Sequence, residues 1–278
     1  MKKTLAVVSI LTTMLLFLLA LSLSACDGTA SEAAYNDEVL NPEIQAIVDR
    51  GALRVGVKND TPGLGFFNSN TGRYEGLEID MARLLAKRIL GDSELVEFTS
   101  VTASTRGTLL DNDQLDMVIA TFTIRDERKE FWNFSQYYFI DSVGIMVGRD
   151  SGIRAIEDFD GKTIAVTTSS TTQAAIEAYI EQQDYDIDVS FQEFPTNQDC
   201  DAALAAGRVD AFSIDKAILA GFMNDEREIM PLSFNPQEYG IATRLDSPYL
   251  TQFVDDFITE VKEDGTLKRL ISDNGLVE

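Results

Sequence analysis

Histidine is absent from this chain of 278 residues, and cysteine, at two, and tryptophan, at one, are almost absent. Without histidine there is no Ser-His or Cys-His nucleophile pair and no imidazole metal ligand. Two cysteines cannot hold a metal cluster. Basic residues are scarce as well: 23 Lys and Arg face 46 Asp and Glu, for a formal net charge of −23. That balance argues against nucleic acid as a partner, which needs a basic patch, and it makes each well-placed cation informative. No cofactor is expected. Gly63-x-Gly65 follows a predicted strand but lacks a third glycine and opens no helix. Asp184-Tyr185-Asp186-Ile187-Asp188 resembles half a calcium loop, without its glycine and terminal Glu.

What is present is ordinary globular composition, 45% hydrophobic and 25% charged, enough for one or two cored domains. The N-terminus reads as a targeting segment. Met1-Lys2-Lys3 is a basic start, Leu5 to Ala20 an apolar core, and Leu23-Ser24-Ala25-Cys26 follows. The pattern is that of a bacterial lipoprotein signal (1–25), with cleavage before Cys26 and lipidation of its thiol, which would anchor the chain to the outer face of the cell membrane. Cys200 is then left alone, so no intrachain disulfide is expected. Residues 26–41 are small and polar and read as a flexible tether.

From Pro42 onward strands and helices alternate. Leu53–Val57, Glu94–Ser100 and Leu115–Ala120 read as strands separated by helices over Ile79–Leu90 and from Arg106. The pattern repeats with strands Thr163–Thr167, Val189–Phe194 and Val209–Ile214 and helices from Ala174 and Asp199. Alternation of this kind means parallel βαβ units, and two such blocks mean two lobes. Tyr137–Val147 and Leu232–Thr243 lack helical periodicity and read as two strands crossing between lobes. Pro248–Val261 and Thr266–Ile271 are amphipathic helices returning to the first. The expected fold is α/β with two lobes, each a mixed sheet flanked by helices. Lobe one takes residues 42–140 and 237–278, lobe two residues 141–236.

Asp116–Ser135 carries the clearest chemistry. Its apolar strand ends in Thr121-Phe122-Thr123 and hands over to a charged turn containing Arg128. Hydroxyls and free N–H groups at a strand end can hold one edge of a carboxylate while a guanidinium takes the other. A solvated turn, with Arg128 paired to Asp126 or Glu130, is the plain alternative. Lys58, Thr121, Thr123, Thr171, Thr172 and Asp215 all fall at predicted strand C-termini, from both blocks, where open parallel sheets bind ligands.

Several motifs in this order resemble the extracytoplasmic solute-binding proteins of ABC-type polar amino acid importers, with the type II periplasmic-binding-protein fold. They are Leu53-Arg54-Val55-Gly56-Val57, Gly76-Leu77-Glu78-Ile79-Asp80, Ala120-Thr121-Phe122-Thr123 with Arg128, Asp158-Phe159-Asp160-Gly161-Lys162 and Ala206-Gly207-Arg208-Val209-Asp210. Val57-Lys58-Asn59-Asp60, Ser104-Thr105-Arg106-Gly107 and Phe234–Gly240 look most like the branch that binds aspartate and glutamate. The resemblance implies a binding protein, not an enzyme, that delivers a free amino acid to a permease and its ATPase.

It also implies roles. Arg128 would clamp the α-carboxylate with backbone N–H groups of Thr123 and Thr172, and Asp215 would accept from the α-ammonium. Lys58 and Arg106, with the Thr121 hydroxyl, would meet a second carboxylate, Lys58 being the stronger discriminator. Tyr239 would donate a hydroxyl nearby. Each has a plain alternative: Ser170–Thr172 and Asp215 as helix caps, Lys58 and Arg106 as solvated charges, Tyr239 as hinge packing. Alternative ligands are glutamine or cystine. The competing classes are a dehydratase of cyclic carboxylates, with Glu78, Glu238 or Asp215 as its acid, and a sensor that presents ligand to a receptor.

Overall fold

The computed structural model describes residues 41–277. The expected signal peptide, Cys26 and the tether up to residue 40 lie outside the described residues. The first described helix, α1 (Pro42–Arg50), has the termini its sequence specifies. The Asn41 side chain accepts from the Glu43 N–H at 2.9 Å, proline stands in the first turn, and Gly51 closes the helix at φ 77°.

Lobe one continues with β1 (Leu53–Val57), then a small antiparallel sheet of β2 (Asp60–Thr61), β3 (Gly65–Asn68) and β4 (Arg73–Glu75). Next come α2 (Leu77–Leu90), β5 (Val96–Ser100), α3 (Arg106–Asp111), β6 (Met117–Ile119) and the one-turn α4 (Asp126–Lys129). β1 lies between β5 and β6, parallel to both, with Val55 opposite Phe98 and Met117. Both faces of β1 are covered, which explains why it reads as an apolar run rather than an alternation. Gly76 precedes α2 at φ 124°, and a Cβ there would stand 2.1 Å from the Leu64 carbonyl oxygen, so only glycine fits.

The long β7 (Trp132–Gly148) leads into lobe two. A 3-10 turn at Ile156–Phe159 is followed by β8 (Thr163–Thr167), α5 (Thr172–Gln182), β9 (Ser190–Phe194) and α6 (Asn197–Ala205). Then come β10 (Ala211–Asp215), α7 (Lys216–Ala220), β11 (Arg227–Ile229) and the second long strand, β12 (Phe234–Arg244). Helices α8 (Pro248–Glu263) and α9 (Thr266–Asp273) return to lobe one. There the Leu250 N–H donates to Glu43 at 2.8 Å and Asn274 donates to Asp80 at 3.0 Å.

The main sheet runs β5-β1-β6-β12-β7-β10-β8-β9, with β11 against β7. Strands β7 and β12 pair antiparallel along nearly their whole length and are the only members shared by both halves among the described residues. The far end of β12 pairs with β6 at Ala242 and Val118, and the far end of β7 pairs with β10 from Val143 to Val147. Register shifts between Tyr239, Gly240 and Ala242 bend this ladder near its middle. Each lobe keeps its own core: Leu110, Val118 and Phe122 in one, Ile164, Ile176 and Phe212 in the other. The two crossing strands begin and end within a few residues of the expected ones, except that β7 starts earlier, at Trp132. β2, β11 and α4 are too short to leave a periodic signal and come only from the structure.

Candidate functional site: a cleft between the lobes

The strand ends of both lobes face one small cavity. Seven of the nine residues expected to meet a ligand line it: Lys58, Arg106, Thr121, Thr123, Arg128, Thr171 and Asp215. The remaining space is about 30 Å³, so the lobes stand close together and the lining groups nearly touch. Thr172 and Tyr239 are fully buried just behind it.

On the lobe-one side the end of β6 organises the site. Thr121 adopts φ 46°, a left-handed conformation that costs a β-branched residue about 1–3 kcal/mol and persists only where neighbours impose it. Its N–H donates to Glu78 Oε1 at 2.6 Å. Its carbonyl and that of Ala120 accept from Arg106 Nη1, at 3.1 and 2.7 Å. The Arg106 guanidinium lies over the Phe122 ring at 3.8 Å, and Arg128 sits 5.0 Å from the same ring. Phe122 is therefore a platform that presents two cations, itself braced by Trp132 and Phe134.

Neither guanidinium has a carboxylate partner among the described residues. Arg106 is 3% exposed, and its Nε has no hydrogen-bond partner. Burial, with the nearby charge of Arg128, pushes its pKa down to about 9. Arg128 donates from Nη1 to the Thr123 carbonyl at 2.8 Å and from Nη2 to the Ser169 carbonyl of lobe two at 3.3 Å. Burial, then Arg125, lowers it to about 10. The alternative of a surface pair with Asp126 fails, because Asp126 pairs with Lys129 at 3.1 Å.

Lys58 differs. It is buried, not solvated, and its ammonium lies 3.0 Å from Asp60 Oδ1. Asp60 was unmarked in the sequence except as part of a motif, and it neutralises the cation expected to discriminate most strongly.

On the lobe-two side β10 ends at Asp215. Its Oδ2 accepts from the Tyr239 hydroxyl, while Oδ1 is buried with no partner among the described residues. It does not cap α7 with its side chain. Burial, and then the charge of Asp141, raises the Asp215 carboxyl to about 7. Tyr239 stands between these acids, with its hydroxyl 3.5 Å from Asp141 Oδ2. Thr171 does not cap α5 either; its hydroxyl donates to Gln237 Oε1 at 2.7 Å, and the Thr123 hydroxyl donates to the same oxygen at 3.0 Å. Thr172 begins α5, and its hydroxyl has no partner among the described residues. Ser170 serves the first turn of α5 instead: its Oγ accepts from the Thr172 N–H at a long 3.4 Å, beside the cleft.

Of the three acids considered for a dehydratase, Asp215 alone lines the cavity. Glu238 is exposed. Glu78 is fully buried beneath Thr121, accepts from the Tyr138 hydroxyl at 2.6 Å, and is raised by burial to about 7. Asp60, Thr167, Asn197, Gln237 and Asp141 are polar residues of the site that sequence reasoning did not single out. Gln237 lay within a quoted motif, while Asn197, at the start of α6, carried no signal.

These features coincide with a family match. The chain belongs to the bacterial extracellular solute-binding proteins, family 3, which it matches over residues 53–274. It is 34% identical over 248 residues to the "ABC transporter glutamine-binding protein GlnH" of Bacillus subtilis, covering 87% of this chain and 88% of that one. It is 30% identical over 242 residues to the "Glutamate-binding protein GluB" of Corynebacterium glutamicum, covering 82% and 80%. The solved structure of "an ancestral arginine-binding protein bound to arginine" superposes with a TM-score of 0.70 at 31% identity, covering 81% of this chain and 98% of that one. One fold thus carries proteins named for amide, acidic and basic amino acids. The ligand must be argued from the side chains of the cleft.

Proposed function

We propose that this chain is the amino-acid-binding component of an ABC importer and that its cleft takes an acidic amino acid, glutamate or aspartate. The observation that carries this reading is the set of groups left unpaired. Two guanidinium groups, Arg106 and Arg128, donate only to backbone carbonyls and have no carboxylate partner among the described residues, and one buried carboxylate oxygen, Asp215 Oδ1, lacks a donor there. A ligand with two carboxylates and one ammonium complements that set. Burying a second carboxylate without such a partner costs several kcal/mol.

In this scheme Arg128 clamps the α-carboxylate, helped by N–H groups of Thr123 and Thr172. Asp215 accepts from the α-ammonium, and Tyr239 positions Asp215. Arg106 and the Thr121 hydroxyl receive the side-chain carboxylate. The role expected of Lys58 passes to Arg106, because Lys58 is spent on Asp60. The lobes close by bending β7 and β12 near Asp141 and Gln237. The proposal includes a lipid anchor on Cys26, delivery to a permease at the outer face of the membrane, and no catalytic step.

One observation favours a second ligand. A paired Lys58 and Asp60 offer a donor and an acceptor side by side, the complement of a primary amide, and the Bacillus relative is named for glutamine. Titration calorimetry separates the two readings once the protein has been unfolded and refolded to strip carried ligand. Micromolar or tighter binding of glutamate or aspartate, about −8 kcal/mol or better, with weaker glutamine and cystine, supports the acidic reading. The reverse order assigns the cleft to a neutral side chain.

A further inference from the structure

The recognition scheme gives Asp60 no task beyond pairing with Lys58, yet its position is unusual. It stands on β2, which pairs with β3 in lobe one with Asp60 opposite Phe66. Its side chain is only 6% exposed. Oδ1 receives Lys58 Nζ at 3.0 Å and the Thr61 hydroxyl at 3.1 Å. Oδ2 receives the side-chain amide of Asn197, in lobe two, at 3.4 Å. Asn197 is itself buried, and its amide oxygen accepts from the Thr167 hydroxyl at 2.7 Å, at the end of β8.

Lys58, Asp60, Asn197 and Thr167 therefore form a chain of polar side chains that crosses the cleft. Lys58, Asn197 and Thr167 line the same cavity as Arg106 and Asp215. The other crossings run differently, from Arg128 to a backbone carbonyl and from Thr171 to Gln237 of a hinge strand.

Two physical consequences follow. A carboxylate beside Lys58 cancels the attraction that cation would exert on an anionic ligand, and it repels that ligand directly at low dielectric. The Asn197 bond joins groups on separate lobes, so it forms when the lobes meet and is exchanged for water when they part.

We infer that Asp60 is both a specificity-determining residue and an interlobe latch: it silences Lys58, leaving Arg106 to select ligand charge, and through Asn197 it stabilises the closed cleft. The inference rests on the proposed amino-acid ligand but not on which amino acid the natural protein prefers.

The test measures glutamate and glutamine affinity, and stopped-flow dissociation, in the natural protein, Asp60→Asn and Asn197→Ala. Asp60→Asn keeps the shape and an acceptor for Asn197 while removing the charge, so the glutamate-to-glutamine affinity ratio rises about tenfold. Asn197→Ala leaves Lys58 and Asp60 paired. Both affinities then fall by a similar factor of about five, through faster dissociation, and the ratio stays put. Asp60→Ser serves in place of Asp60→Asn if the latter does not fold. A ratio within about twofold of natural in a folded Asp60 variant overturns the specificity role. Unchanged dissociation in Asn197→Ala overturns the latch. Natural protein that binds neither ligand overturns the amino-acid reading and this inference together, whereas binding with an unmoved ratio overturns only the inference.

Discussion

On the lobe-one side of the cleft β6 ends at Ile119 and the backbone turns left-handed at Thr121, φ 46°. On the lobe-two side β8 ends at Thr167 and the backbone turns left-handed at Ser169, φ 63°. The two halves of one mixed sheet thus each place a left-handed, hydroxyl-bearing turn beside the same cavity. What the turns present is opposite in sign. Lobe one brings Arg106 and Arg128 on the Phe122 platform. Lobe two brings Asp215 and the opening turn of α5. Neither half alone complements a zwitterion, so in the proposed scheme recognition requires closure, with the ligand supplying much of the attraction between halves.

The most damaging way to break this division is Arg128→Ala, which removes a cation that also reaches across to the Ser169 carbonyl. Affinity for every amino acid tested should fall by about a hundredfold or more, about 3 kcal/mol, in titration calorimetry. Arg106→Met should sharpen the comparison rather than abolish it. Glutamate binding weakens by about a hundredfold and glutamine binding by about tenfold or less, because the amide brings no charge to strand.

A smaller effect concerns pH. Burial raises the Asp215 carboxyl to about 7, with Asp141 adding to it. An unfolded aspartate titrates near about 3.9. A group raised in the folded state contributes stability that is complete below the unfolded value and lost as pH rises through the folded one. Thermal melts of ligand-free protein should therefore decline from about pH 4 to 8, and Asp215→Asn should flatten that decline. Ammonium binding needs the carboxylate, so glutamate affinity should rise over about pH 6–8. Tyr239→Phe removes the hydroxyl that holds the charged form and should move that rise to higher pH. The smallest expected effect is Thr121→Gly, which relieves the left-handed strain. A melt should show a gain of about 1 kcal/mol, accompanied by a severalfold loss of affinity.

Most of the fold was legible because it rests on periodicity. Buried parallel strands such as β1 read as apolar runs and amphipathic helices such as α8 read as stripes, whereas the Asn41 cap of α1 falls at the end of the segment expected to be a tether. The positions of the site residues were legible for a related reason, since ligands gather at strand C-termini. Their pairings were not. Nothing in the order of residues says that Lys58 turns to Asp60, or that Thr171 gives up its cap for Gln237 sixty-six residues away. Those choices depend on three-dimensional competition among neighbours, and they take Lys58 out of the pair expected at a second carboxylate, leaving Arg106.

The most direct test of the account is a crystal structure of the protein with glutamate bound. The α-carboxylate should lie on Arg128, the ammonium on Asp215 Oδ1, and the side-chain carboxylate on Arg106 with the Lys58–Asp60 pair intact. A side chain that points away from Arg106, or a ligand that splits Lys58 from Asp60, would contradict it.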